Sequence, residues 1–408
     1  MRSVQRLFAL VRRRLRARRL QRRVDAILAE RPGVPPGTAE VVLWFADGKV
    51  NLYQLRQWYA PLRELDKRHR VVIVTRAASS TLAALEESGL AVVQLRRIGE
   101  YEQWLATQRV RAVLYVNQNV RNFSAMRFAE PAHVFICHGE SDKAYMASNQ
   151  MKAYDHVLVA GQAAVERLRR NLVGLDTSRL LPVGRPQIDV AHEAPELPQD
   201  GRTVVLYAPT WEGDRPSMSY SSVVSHGEPL LRALLATGRH RVVLRPHPRT
   251  GVVDPGHRRA LSRLCRMVEE ANRRDPGAAH LVDTGAYGWQ LQLADFCVTD
   301  VSAVAFDWLA TGKPFRITRP VAPEAVVDPH GLVGSVPLLD VEEVPGIVAE
   351  VDRAVAEGPD EHLRALTAHY FGDTSPGSCM RRFLEAVDHI VTTREAALQE
   401  RAAVLGSR

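Results

Sequence analysis

Two histidines follow short apolar runs and stand beside residues that form tight turns. His138 follows HVFIC and precedes Gly139, and His247 lies between two prolines after RVVLR. A histidine near its ordinary pKa can accept a proton from a hydroxyl at neutral pH. One histidine at such a position is more often structural. Two of them, each in a turn fixed by glycine or proline, favour a chemical role.

Hydroxyl and carboxylate side chains lie at the ends of two further apolar runs. Thr210 follows VVLYA, Thr299 ends DFCVT, and Asp300 and Ser302 come directly after it. In parallel α/β sheets, ligands bind beyond the carboxyl ends of the strands. We therefore expect these side chains and the two histidines to face a ligand at one rim of the fold.

The apolar runs that carry these residues alternate with amphipathic stretches along the chain. Buried strands that alternate with helices indicate parallel sheets with right-handed crossovers. The alternation restarts after the proline-bearing stretch 191–201, so we predict two doubly wound, Rossmann-like α/β domains facing across a cleft. The predicted strands are 41–46, 71–75, 91–95, 112–116, 133–137, 156–160, 204–208, 241–245, 280–284, 295–299 and 314–318. The predicted divisions are a basic helix and linker (1–37), two domains (38–190 and 200–375) and a C-terminal helical segment (376–408).

The basic character of the chain is confined to its first residues. The net charge is +8, but residues 1–23 contain ten arginines and no acid, and the remainder carries 44 basic and 46 acidic residues. A nucleic-acid-binding domain spreads basic residues over a folded face, so we expect no nucleic-acid partner. The four cysteines are widely spaced without CxxC, which argues against a disulfide scaffold or a zinc site. We expect a cytoplasmic protein.

The basic segment has the pattern of an amphipathic helix. A helix of this kind can lie on an anionic membrane surface, with its apolar side buried and its arginines at the headgroups. The alternatives are a solvated arm, a helix packed on its own protein, or a targeting peptide. RPGVPPG (31–37) predicts the end of the helix and a linker. The apolar residues at helical spacing are Val4, Leu7, Phe8, Val11 and Leu15.

Six sequence blocks follow one another along the chain: HG (138–139), GRPQID (184–189), YAPTW (207–211), RPHP (245–248), TDVSAVAFDWLATGKP (299–314) and YFGDTSPGSCMRRFLEAV (370–387). These blocks resemble those of the CDP-glycerol glycerophosphotransferases, the teichoic-acid primases and polymerases. The resemblance extends over residues 130–390. Val301 and Ala303 stand where the family often has tyrosine and a second serine.

The resemblance implies a GT-B fold and a reaction that moves glycerol phosphate, or a related polyol phosphate, from a CDP-activated donor to an acceptor hydroxyl. It also implies a mechanism without metal or cofactor. His138 is the candidate base, and His247 with Arg245 the candidate donors to the pyrophosphate. The further candidate donor-binding residues are Thr210, Thr299, Asp300, Ser302, Asp307 and Arg185. Asp307 has the alternative of supporting its helix, and Arg185 that of a salt bridge at the domain junction.

The acceptor side is predicted from the residues after the first histidine, Gly139, Asp142 and Lys143. Their alternative is an exposed helical turn capped by Ser141. The resemblance implies a lipid-linked acceptor for a cell-surface polymer, which places the protein peripherally on the inner face of the cell membrane. Two other functions stay open: a nucleotide-sugar glycosyltransferase or epimerase-like enzyme of the same architecture, and a non-enzymatic membrane or nucleic-acid adaptor that uses residues 1–23.

Overall fold

A computed structural model describes residues 2–140, 147–285 and 287–406, without the side chains of residues 2–11, 13 and 406. Two parallel sheets organise this part of the chain. The first has the strand order β3-β2-β1-β4-β5-β6-β7 and the second the order β10-β9-β8-β11-β12-β13. The strands of the first sheet are β1 (Val41–Phe45), β2 (Val71–Thr75), β3 (Ala91–Gln94), β4 (Ala112–Tyr115), β5 (Ala132–Phe135), β6 (His156–Val159) and β7 (Leu180–Pro182). Those of the second are β8 (Thr203–Ala208), β9 (His240–Leu244), β10 (Leu281–Val282), β11 (Phe296–Thr299), β12 (Phe315–Thr318) and β13 (Leu338–Leu339).

Helices cover both faces of each sheet, which explains why the strands read as unbroken apolar runs. In β1, Val41 and Leu43 pack into the core on one face, while Val42 and Trp44 pack into the core on the other. The helices are α1 (Arg2–Glu30), α2 (Leu52–Arg56), α3 (Tyr59–Asp66), α4 (Ala78–Glu87), α5 (Ile98–Leu105), α6 (Asn122–Ala125), α7 (Gln162–Asn171), α8 (Gly227–Leu235), α9 (Pro255–Arg274), α10 (Trp289–Leu293), α11 (Ala303–Leu309), α12 (Leu332–Ser335), α13 (Ile347–Glu357), α14 (Glu361–Phe371) and α15 (Ser378–Gly406).

All eleven strands expected from the apolar runs are present, and β7 and β13 are additional. Both additional strands lie at sheet edges and are two or three residues long. Such a short segment carries no alternation by which it could be recognised. The predicted two-sheet α/β architecture is confirmed.

The end of the chain returns to the first sheet. Residues of α15 join the core around β1, and Asp189 accepts hydrogen bonds from the backbone N–H groups of Gly377 (2.9 Å) and Met380 (2.7 Å) at the start of this helix. At Gly161 a side chain would overlap the backbone carbonyl of Tyr370, so the close approach of α14 requires glycine there. The C-terminal segment thus connects the two sheets.

The C-terminal part of α1 packs on the protein. Val24 is fully buried, and Arg23 pairs with Glu86 of α4 at 2.7 Å. Leu15 is half exposed, and residues 14–19 are exposed. The side chains of the predicted apolar stripe from Val4 to Val11 lie outside the described residues. Among the described helices, none has the length and apolar character that a membrane crossing requires.

Candidate active site

The turn after β5 presents His138 in a fixed orientation. Cys137 has φ of +57°, a left-handed conformation that is uncommon for residues other than glycine. The indole N–H of Trp58 donates to the Cys137 carbonyl at 2.6 Å and so holds this turn. The His138 Nδ1 lies 3.0 Å from the Val116 carbonyl, which can only accept, so Nδ1 carries the proton. Nε2 of the neutral ring is therefore the basic nitrogen.

Three polar side chains behind His138 fix the direction of its basic nitrogen. The Asn117 amide donates both to Asp47 (2.7 Å) and to the Gln54 carbonyl oxygen (2.8 Å). Gln54 must then turn its own amide nitrogen towards His138 Nε2, at 3.5 Å. Since a carboxylate only accepts, the orientation of both amides follows from Asp47.

The turn after β9 orients His247 with the opposite proton placement. Its Nδ1 accepts the backbone N–H of Arg249 at 3.1 Å, so the proton of the neutral ring is on Nε2. Trp211 stacks on the imidazole with ring centroids 6.2 Å apart, and the Arg249 guanidinium lies 3.7 Å from the Trp211 ring centroid. His247 can therefore donate a hydrogen bond where His138 can accept one.

Glu212 holds the segment that follows His247. Its buried carboxylate accepts the backbone N–H groups of Gly251 (2.9 Å), Val253 (2.8 Å) and Asp254 (2.9 Å). Burial alone would raise the pKa of Glu212, but these hydrogen bonds lower it below its ordinary value, so the group stays ionised. The carboxylate thereby fixes the loop that carries the histidine.

Asp300 joins the ends of three strands. Its Oδ2 accepts the backbone N–H groups of Thr210 (2.6 Å) and Ser222 (3.1 Å), and its Oδ1 accepts the Thr318 hydroxyl (2.6 Å). Burial raises the pKa of Asp300 to about 6, although the hydrogen bonds oppose that shift. Asp300 is fully buried with both oxygens occupied, which favours a positioning role over the predicted direct contact with the donor.

Thr299 and Ser302 flank this carboxylate at the start of α11. The Thr299 hydroxyl donates to the Ala208 carbonyl at 2.8 Å, and the Ser302 hydroxyl lies 3.4 Å from the Thr299 hydroxyl. Thr299 is fully buried, whereas Ser302 keeps a small exposed surface. Of these two predicted donor-binding residues, Ser302 is the one whose position suits contact with a ligand.

Arg185 links the two α/β units instead of projecting from the rim. Its Nε donates to Asp307 at 2.7 Å, and its Nη2 donates to Gln57 at 2.8 Å. Burial alone would lower the pKa of Arg185, but the Asp307 carboxylate raises it. Arg185 therefore occupies the junction salt bridge that was the alternative to phosphate contact, and Asp307 is its partner.

Arg245 is likewise engaged within its own sheet. Its guanidinium pairs with Asp283 at 2.5 Å and donates to the Gly285 carbonyl at 3.0 Å. These contacts fix the loop after β10, and a contact with donor phosphates would need the side chain to leave them. Phosphate binding by Arg245 stays a prediction.

The two rims meet at the His138 turn. A side chain at Gly139 would lie 3.8 Å from the Ala303 Cβ and 3.9 Å from the Arg185 guanidinium, so this turn faces the start of α11. The structure thus brings Gly139 next to Ala303, the first residue of α11, and next to Arg185 of the junction pair. Asp142, Lys143 and the capping alternative at Ser141 lie outside the described residues.

The polar residues around His138 were not predicted from the sequence, and neither was Glu212. Asp47 and Asn117 stand two residues beyond β1 and β4, so the strand-end rule that pointed to the histidines applies to them as well. Gln54 and Glu212 offer no such signal, because their roles depend on partners far away in the chain. In the part of the chain that the structure describes, no group of three or more His, Cys, Asp or Glu side chains could hold a metal ion.

Residues 51–320 match the sequence profile of the CDP-Glycerol:Poly(glycerophosphate) glycerophosphotransferase family. The chain belongs to this family. The match covers more than half of the chain and includes both histidine turns, so the protein is a transferase of the glycerophosphotransferase type. No curated protein matches the sequence significantly.

Several solved structures share the fold of this chain. A structure of the wall teichoic acid polymerase TagF has a TM-score of 0.56 at 14% identity, covering 88% of this chain and 90% of that one. A Listeria monocytogenes protein provisionally named UDP-N-acetylglucosamine 2-epimerase has a TM-score of 0.52 at 14% identity, covering 86% of this chain and 96% of that one. HepE from Anabaena, in complex with UDP and glucose, has a TM-score of 0.50 at 12% identity, covering 86% of this chain and 99% of that one. At these identities the similarity shows the GT-B-like fold alone.

Proposed function

We propose that this glycerophosphotransferase-family enzyme transfers glycerol phosphate, or a related polyol phosphate, from a CDP-activated donor to an acceptor hydroxyl in the synthesis of a teichoic-acid-like polymer. The observation that carries this proposal is the opposite placement of the Nδ1 contacts on the two histidines, which leaves His138 Nε2 able to accept a proton and His247 Nε2–H able to donate a hydrogen bond. Family membership supports the donor class, as does a TagF His-to-Asn variant structure with CDPG, which has a TM-score of 0.54 at 15% identity.

The reaction needs one proton acceptor and preplaced donors. The acceptor oxygen attacks the phosphorus that carries the polyol, and its proton passes to His138 Nε2. The bond from this phosphorus to the oxygen bridging to the second phosphate breaks, and that oxygen leaves with the electron pair as part of CMP. His247 Nε2–H donates to the phosphate oxygens as charge develops on them, and Ser302 is placed for a further contact.

The histidine roles are tested by two alanine variants and a control. His138→Ala should lower kcat by about 10²–10⁴-fold and leave the affinity for CDP-glycerol unchanged, because the lost group acts on the acceptor. His247→Ala should lower both kcat and the affinity for CDP-glycerol. His389→Ala, at an exposed position on α15, is the control. The measurements are CMP release, with a synthetic lipid bearing glycerol phosphate as acceptor, and calorimetric donor binding. A near-normal kcat in His138→Ala would show that His138 is not the base.

The nucleotide-sugar alternative is tested by the same calorimetry with CDP-glycerol, CDP-ribitol, CMP and UDP-glucose, with and without EDTA. Cytidine-selective binding that survives EDTA supports the proposed donor and a mechanism without metal. Selective binding of UDP-glucose would instead favour a nucleotide-sugar enzyme on the same fold.

The acceptor is proposed to be lipid-linked and the protein to lie on the inner face of the cell membrane. The supporting feature is the exposed, arginine-rich stretch 14–19 of α1, which includes the half-exposed Leu15. Removing residues 1–19 retains the packed contacts of Arg23 and Val24 and should abolish salt-sensitive binding to phosphatidylglycerol vesicles. Unchanged sedimentation with these vesicles would refute the membrane role, and the adaptor hypothesis with it.

A further inference from the structure

The guanidinium of Arg249 lies beside His247 at the rim of the second sheet, stacked on an aromatic ring. It lies 3.7 Å from the centroid of the Trp211 ring, and the same ring stacks on the His247 imidazole. Arg249 is exposed, and within the part of the chain that the structure describes its guanidinium has neither an ion pair nor a hydrogen bond. A cation that is free to take an anionic partner therefore stands next to a candidate catalytic histidine.

The backbone that carries this guanidinium is fixed on both sides. The Arg249 N–H donates to His247 Nδ1 at 3.1 Å, and the Arg249 carbonyl accepts the N–H of Val252 at 3.1 Å. Two residues further on, the N–H of Gly251 donates to the buried Glu212 carboxylate at 2.9 Å. The side chain can consequently change its rotamer from a fixed point while the loop keeps its place beside the histidine.

Arg245, the cation predicted to bind the donor phosphates, is held more firmly. Its ion pair with Asp283 is only 16% and 11% exposed, its guanidinium donates to the Gly285 carbonyl, and it lies 5.1 Å from the Tyr287 ring centroid. A phosphate contact by Arg245 would break this partly buried ion pair, which is costly. Arg249 would give up only a cation–π contact at an exposed site, which is weaker than the charge-assisted, bidentate hydrogen bonds of a guanidinium with phosphate.

We propose that Arg249 is a further catalytic residue, which leaves Trp211 when the donor binds and donates to the phosphate oxygens of the CMP leaving group. This role rests on the transfer reaction proposed above. In that reaction the acceptor oxygen bonds to the polyol phosphorus and gives its proton to His138, while the bond from this phosphorus to the bridging oxygen breaks. The electron pair stays on the bridging oxygen, which becomes part of the CMP phosphate. The guanidinium offsets the negative charge that this phosphate gains.

The binding test compares CMP with cytidine by ligand-observed NMR on the full-length protein. Arg249→Gln should weaken CMP binding about ten- to hundredfold, because it removes charge-assisted hydrogen bonds to the phosphate, and should leave cytidine binding unchanged. Arg266→Gln removes an exposed arginine on α9 and is the matched control, which should change neither. A loss of cytidine binding as large as the loss of CMP binding would overturn the phosphate contact.

The kinetic test is CMP release from CDP-glycerol. Arg249→Gln should lower kcat about 10²–10³-fold, and Arg249→Lys should retain clearly more activity because its ammonium group keeps the charge. A near-normal kcat in Arg249→Gln, or equal losses in the glutamine and lysine variants, would overturn the catalytic role.

The same assays separate this inference from the proposed reaction. A wild-type protein that releases no CMP from CDP-glycerol refutes the reaction and the catalytic role that rests on it, whatever the NMR shows. A wild-type protein that releases CMP, together with an Arg249→Gln variant that does so at the same rate, refutes the role of Arg249 alone.

Discussion

The buried pair of Arg185 and Asp307 allows a quantitative test of how the two α/β units are joined. The two side chains are 8% and 9% exposed, and their nitrogen and oxygen lie 2.7 Å apart. Two unit charges about 4 Å apart at an effective dielectric constant of about 20 attract by about 4 kcal/mol. Asp307→Leu should therefore lower the free energy of unfolding by about 3–5 kcal/mol, because it leaves a buried guanidinium without its counter-charge. Since Gln57 still accepts one hydrogen bond from Arg185, we expect the lower end of this range.

The double variant Arg185→Met/Asp307→Leu should recover most of the loss, because it removes both charges and keeps apolar volume. The assay is urea unfolding followed by tryptophan fluorescence. Glu228→Gln breaks the exposed pair with Arg232 and should cost less than about 1 kcal/mol. If Asp307→Leu costs no more than this control, or if the double variant is as unstable as the two single variants summed, the pair is not a structural link. In that case Arg185→Met should chiefly weaken CDP-glycerol binding, as the phosphate-contact hypothesis predicts.

Three further substitutions test the turns around the site. Glu212→Gln should lower kcat by about tenfold because it replaces an acceptor of three backbone N–H groups and shifts the His247 loop; a normal kcat contradicts this. Burial raises the pKa of Asp300 from 3.8 to about 6, so the folded state favours the protonated carboxyl. As pH rises from about 4 to 6, the wild type should therefore lose on the order of 2–3 kcal/mol of stability relative to Asp300→Asn. Urea midpoints of the two proteins that run parallel across this pH range would refute the prediction. Gly161→Ala should destabilise the protein by about 1–3 kcal/mol, since its Cβ would overlap the Tyr370 carbonyl; an unchanged thermal midpoint would show that α14 can shift.

The fold and the family were both predictable from the sequence. Doubly buried parallel strands have to be continuous apolar runs, so eleven strands and the two-sheet architecture could be predicted from short segments alone. The family blocks are likewise local in the chain, and membership is confirmed over residues 51–320. The domain boundaries and the chemical roles of the site residues stay predictions.

The positions that follow strands were also determined by the sequence, because parallel strands end at a common edge. His138, His247, Thr210 and Ser302 all lie at such ends in the structure. This rule places a backbone position, but it does not tell which atoms the side chain contacts.

Only the tertiary structure decided which of the charged candidates are already engaged. Arg185 and Asp307 are 122 residues apart, and Arg245 and Asp283 are 38 residues apart, so no local sequence pattern predicts either pair. The proton placement on the histidines depends in the same way on partners chosen by folding: the Val116 carbonyl for His138 and the Arg249 N–H for His247. Periodicity is a property of neighbours in the chain, whereas ion pairs, tautomers and clefts depend on which distant segments the packed core brings together.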